Sequence, residues 1–127
     1  MTGPLLIIDD EETALVAMRE YFGYLGYEVD AASDPKRAQR LLSTRRYAVV
    51  MADLQLTPYH RTEGLELIAR VRQQSPSTRT ILLTAYGSPE VEARARQLGV
   101  DALLDKPQPL LEIARLVRDL LGQDRDP

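Results

Sequence analysis

Four short apolar runs constrain this chain more than any other feature: Leu5–Ile8, Tyr47–Ala52, Thr80–Leu83 and Val100–Leu104. Each reads as a buried strand. A fifth strand, Glu28 to Ala32, is more mixed. Between the strands the apolar period changes to that of a helix. Leu15, Met18, Phe22 and Leu25 form one stripe along a helix from about Glu12 to Tyr24, which Gly26 ends. Asp34-Pro35 is a cap followed by proline at the first helical position, opening a helix to about Ser43. Ser88-Pro89 repeats that signal for a helix to Leu98. Leu65, Ile68, Ala69 and Arg72 are helically spaced within Glu63 to Gln74. Leu110, Ile113, Ala114, Val117, Leu120 and Leu121 give the last helix, about Pro109 to Leu121, a wide apolar face. Gly122 is expected to stop it, leaving a polar tail over 122–127.

Five strands alternating with five helices imply an α/β fold, a parallel sheet covered on both faces. Right-handed crossovers favour a doubly wound, flavodoxin-like sheet in the order 2-1-3-4-5. The chain then reverses direction between the first and third strands, and a crevice opens there at the strand C-termini. With 127 residues, one domain is expected, with its core over about 5–121.

Charge and composition narrow the function classes. A net charge of -3 argues against direct nucleic-acid binding, which wants a basic face. The chain has no cysteine, so disulfide and thiolate chemistry are excluded and a reducing compartment fits. No apolar run reaches membrane-spanning length and the first residues do not read as a signal peptide, so no membrane contact and a cytoplasmic location are expected. Lys36 and Lys106 are the only lysines beside fourteen arginines, which singles out Lys106 as a compact point charge with a specific use.

Polar groups close the apolar runs. Asp9 and Asp10 follow the first, Asp53 the third strand, Thr84 the fourth, and Lys106-Pro107 the fifth. Each signal has a plain structural explanation when taken singly. Acidic residues suit a helix N-terminus, as Glu11 and Glu12 do, and threonine after a strand is common. Together they place three carboxylates, a hydroxyl and an ammonium on one edge of one sheet. Three carboxylates at a crevice repel one another, and a hard divalent cation relieves the repulsion.

The ordered set Asp9-Asp10-Glu11, Asp53, Pro58, Gly64-Leu65-Glu66-Leu67, Thr84-Ala85 and Lys106-Pro107 resembles the receiver domain of two-component response regulators, from Leu5 to Leu121. The resemblance implies that Asp53 is a phosphoacceptor, served by a histidine kinase or histidine phosphotransfer protein. It implies Mg²⁺ or Mn²⁺ held by Asp10, Asp53 and the backbone carbonyl of Gln55, with Asp9 acting through water. Lys106 and Thr84 would bind phosphoryl oxygens, and Ala85 would leave room for them. An inward turn of Thr84 would reshape a partner-binding face on the fourth helix, fifth strand and fifth helix, in a monomer or a phosphorylation-promoted dimer.

Three departures stand out. The loop from Leu54 to Gly64 is longer than the resemblance leads one to expect and contains Thr57, Tyr59 and His60. Its lone histidine reads as a solvated loop residue. Leu103 occupies a switch position where the family often has an aromatic. Gln55 and Tyr86 take the positions that flank the path of the hydrolytic water. Two rivals remain. One is a phosphorylation-independent binding module, against which Asp10, Asp53, Thr84 and Lys106 together speak. The other is a haloacid dehalogenase-like phosphatase, which would need an acid where Gln55 stands. The expectation is a switch without turnover of an external substrate.

Overall fold

The computed structural model describes residues 3–57, 62–85 and 87–123. Within them the chain runs β1 Leu5–Ile8, α1 Glu12–Tyr24, β2 Val29–Ala32, α2 Pro35–Thr44, β3 Val49–Asp53, α3 Glu63–Gln74, β4 Arg79–Thr84, α4 Pro89–Leu98, β5 Ala102–Asp105 and α5 Leu110–Gln123. All strand pairs are parallel, in the order β2-β1-β3-β4-β5.

The apolar runs are continuous because the sheet is covered twice, and strand periodicity sorts them between two cores. Leu5, Ile7, Val49, Met51, Ile81 and Leu83 pack with Leu15, Met18 and Phe22 of α1 and with Ile113, Val117 and Leu120 of α5. Leu6, Ile8, Val50, Ala52 and Leu82 face the other way, onto Ala38 of α2, Leu65, Ile68 and Val71 of α3, and Ala95 of α4. Burying one such aliphatic side chain contributes about 1.5–3 kcal/mol. Two buried apolar layers therefore hold the strand ends in fixed relation.

Local signals act as expected at two helix starts. The Asp34 carboxylate accepts from Arg37 N at 2.8 Å, and Ser88 Oγ accepts from Val91 N at 3.2 Å. Gly26 turns with φ +100° after α1. Some boundaries differ. Leu25 lies just past α1 and is exposed, so the buried stripe is Leu15, Met18 and Phe22. Gly122 does not stop α5, which continues through it to Gln123 and shortens the expected tail. A β-carbon at Gly122 would meet nothing within 4 Å, so neither packing nor a left-handed turn calls for glycine there. Glu28 and Tyr47 lie before their strands, whereas Asp53, Thr84 and Asp105 are the final residues of theirs.

Candidate functional site

The C-terminal ends of β1, β3, β4 and β5 bring the candidate residues together. Asp9 leaves β1 with its N–H bonded to Ala32 O at 3.1 Å, which fixes the strand end against β2. The Asp9 side chain is buried, and its Oδ1 accepts the Glu11 N–H at 3.0 Å. Its Oδ2 faces Lys106 Nζ at 3.1 Å. Lys106 Nζ also reaches Asp53 Oδ2 at 3.3 Å. One ammonium thus bridges two carboxylates from strands adjacent in the sheet. Lys106 is held in turn by its N–H, which donates to Thr84 O at 2.8 Å, and its bond to Pro107 is cis.

The electrostatics follow from that packing. Burial pushes the Asp53 carboxyl up from its ordinary value. Lys106 opposes this, while Asp9 and Asp10 reinforce it. Burial works against the charge on Lys106, but the Asp53 and Asp9 carboxylates outweigh it and raise its pKa. The site is therefore short of positive charge even with the lysine in place. Asp10 is exposed beside this pair. One carboxylate oxygen from each of Asp9, Asp10 and Asp53 lies within 4.8 Å of the others. Three hard oxygen donors at that spacing suit Mg²⁺ or Mn²⁺.

Asp10, Asp53, Leu54, Gln55, Thr84 and Ala85 open onto one cleft of about 870 Å³, whose far wall is Ser88, Glu90 and Val91. Thr84 is buried and continues the strand face of Leu82, toward α3 and α4. The Gln55 side chain is exposed, and its Nε2 donates to Thr57 O at 3.1 Å. Leu103 does not reach the cleft. It is half-buried against the same core as Leu82, its neighbour in register. Tyr86, Tyr59 and His60 lie outside the described residues.

Two features escaped the sequence reading. The first is the pairing of Lys106 with Asp9, 97 residues away, for which no local signal exists. The second is the role of Gly64. A β-carbon there would lie 2.7 Å from the carbonyl carbon of Asp53 and 3.0 Å from Leu54 Cα. Gly64 N donates to Leu54 O at 2.8 Å. The start of α3 thus rests directly on the backbone of Asp53. A glycine at the second position of a helix, where propensity disfavours it, was the available clue.

A doubly wound sheet with an acidic, lysine-bridged crevice at its topological switch point belongs to the open α/β folds that place a site at the strand C-termini. Comparison narrows it: the family described as response regulator receiver domain matches residues 5–118, and the chain belongs to that family. It is 31% identical over 105 residues to the alginate biosynthesis transcriptional regulatory protein AlgB of Pseudomonas aeruginosa, covering 83% of this chain and 23% of that one. It is 26% identical over 121 residues to sporulation initiation phosphotransferase F of Bacillus subtilis, covering 95% of each. The chain thus spans under a quarter of the first relative and nearly all of the second. A receiver domain crystal structure from Methanospirillum hungatei superposes with a TM-score of 0.90 at 23% identity, over 97% of this chain and 96% of that one. Among the described residues, no helix is long and apolar enough to cross a membrane.

Proposed function

We propose that this receiver domain is a phosphorylation switch whose phosphoacceptor is Asp53. The observation that carries the reading is the Lys106 ammonium set 3.1 Å from Asp9 and 3.3 Å from Asp53, beside a third carboxylate, Asp10. An Asp53 carboxylate oxygen attacks phosphorus. The bond from phosphorus to the donor nitrogen or oxygen breaks, and the leaving group keeps the electron pair. Asp10, Asp53 and the Gln55 carbonyl are the proposed ligands of Mg²⁺ or Mn²⁺, with Asp9 acting through water. A cation held there would supply positive charge to the transferring phosphoryl group. Lys106 supplies the remaining charge, and Thr84 its hydroxyl. Ala85 adds no bulk at the cleft mouth.

The donor in this reading is a histidine kinase or a histidine phosphotransfer protein. Movement of Thr84 reshapes the face made by α4, β5 and α5 for a downstream protein or a second copy. The unit over 1–127 then acts as one receiver in the cytoplasm. No external substrate is turned over, because Gln55 stands where an enzyme of the haloacid dehalogenase type needs an acid, and an amide cannot exchange the proton. Incubation with acetyl phosphate and Mg²⁺ should add one phosphoryl group by intact mass. Asp53→Ala should remove the modification. Undiminished labelling of that variant would reject Asp53.

A further inference from the structure

We propose that Arg72 is the pivot of α4: its guanidinium pins the C-terminal end of that helix at Gly99, so that a change at Thr84 swings the helix about this end instead of translating it. The inference rests on the functional reading above for the source of the change, and on the packing around Arg72 for its form.

Helix α4 is joined to Thr84 by four residues, 85–88, and only one of its side chains, Ala95, is buried. By contrast α1 buries Leu15, Met18 and Phe22, and α3 buries Leu65, Leu67, Ile68 and Val71. The core therefore holds α4 chiefly through Ala95, with Val91 and Leu98 only partly buried against it. Its far end is held differently. Gly99 caps the helix at φ +79° and closes it with bonds to the carbonyls of Ala95 and Arg96. A β-carbon at Gly99 would stand 3.0 Å from Arg72 Nη2, 3.2 Å from Nε and 3.4 Å from Cζ. The Nε–Cζ–Nη2 edge of the guanidinium therefore lies against this one residue. Arg72 Nη1 donates to Pro76 O at 3.3 Å, which ties the same side chain to the turn before β4.

One buried donor is left over. Arg72 Nε is buried and has no hydrogen-bond partner. A buried unsatisfied donor is rare in a packed protein and calls for an explanation. The explanation offered by this geometry is that contact with Gly99, beside the single bond to Pro76 O, places the guanidinium where Nε meets no acceptor. Glycine suits the site twice, for its left-handed turn and for the missing β-carbon that lets the guanidinium approach. Lysine could supply the charge but not the flat face.

Two measurements on Arg72→Ala and Arg72→Lys test the pivot. In the unmodified protein, amide exchange at Gly99 and Val100, which donate to Arg96 O and Ala95 O, should quicken about tenfold in both variants, while Glu92 and Ala95 change far less. With beryllofluoride and Mg²⁺ as the probe, wild-type amide shift changes should be large at Ser88 and over residues 90–92 and at least threefold smaller over 96–100. In both variants that gradient should flatten. Unchanged exchange at Gly99, or an unchanged gradient in the variants, overturns the pivot. If the wild-type Asp53 and Thr84 amides do not move with the probe, the functional reading fails and the swinging motion falls with it. The lysine variant keeps the aliphatic stem, so the test survives if the alanine variant folds poorly.

Discussion

Gly64 lies against the backbone carbonyl of Asp53, so close that a β-carbon at position 64 would overlap it. The neighbour is main chain, which cannot swing aside as a side chain could. Gly64→Ala must therefore move either the start of α3 or the end of β3. Overpacking of this kind costs about 1–3 kcal/mol. We expect urea denaturation to show that loss, and the initial rate of acetyl phosphate labelling at Asp53 to fall at least fivefold in the folded variant. Wild-type stability and rate together would mean that the contact is soft.

The two neighbouring acids should differ in their importance for metal binding. Both Asp9 oxygens are engaged, one by Glu11 N and one by Lys106. Asp10 is exposed on the cleft. Asp10→Ala should lose at least tenfold in Mg²⁺ affinity, and Asp9→Ala should lose less. Titration of the folded variants decides this, and the reverse order would exchange the two roles.

Asp53 should weigh against stability at neutral pH. Burial raises its folded pKa above the ordinary 3.8, only partly offset by Lys106. A raised folded pKa contributes stability that is complete below pH 3.8 and lost as pH rises through the folded value. At pH 7 the contribution is gone and an ionised, half-buried carboxylate remains. Asp53→Asn should therefore melt higher than wild type at pH 7 in the absence of divalent cations, by about a few degrees. The difference should close below pH 3.8. Lys106 has a window of the same sense at higher pH: its folded pKa lies above 10.5, so its pairing energy is complete below pH 10.5 and lost as pH rises through the folded value. A lower melting point for Asp53→Asn at pH 7 would show that the pairing outweighs the burial.

Thr84 and Leu103 share the sheet face toward α3 and α4, and Leu82 beside them is the register partner of Leu103. Leu103 has no hydroxyl to exchange partners, so what reaches β5 should come from Thr84 alone. Thr84→Ala should still accept beryllofluoride at Asp53, yet the amide shift changes over residues 102–105 should fall by more than half. Full-sized changes there would indicate a route that bypasses the hydroxyl.

The fold was legible because its signals were redundant. Pro35 and Pro89 marked helix starts, and the residues before them, Asp34 and Ser88, make the expected cap bonds. The apolar runs needed two covered faces, and two helical layers supply them. The misread places had a weaker physical basis. Gly122 looked like a stop, but a glycine ends a helix only where the chain turns left-handed, as Gly99 does and Gly122 does not. Leu25 matched the helical period by one residue too many: it is the C-cap of α1, just past the last helical residue, and it is exposed. In the candidate site, the polar residues at strand ends could be found singly, since each follows an apolar run. Their pairing could not. That Lys106 meets Asp9 depends on β1 and β5 being held by the β3 and β4 between them.

The two-residue alternation of β3 has a consequence for how this chain can tolerate change in length. Val49, Met51 and Asp53 belong to one side of the strand, and Val50 and Ala52 to the other. Deleting or inserting a single residue before Asp53 within the strand would send its carboxylate to the opposite layer, away from Asp9 and Lys106, while exchanging the two sets of core residues. The same one-residue change a few positions later, in the connection to α3, leaves that side untouched. The connection between Leu54 and Gly64 and the strand before it therefore obey different rules: a change of length in the first leaves the side of Asp53 alone, and in the second it is counted in twos.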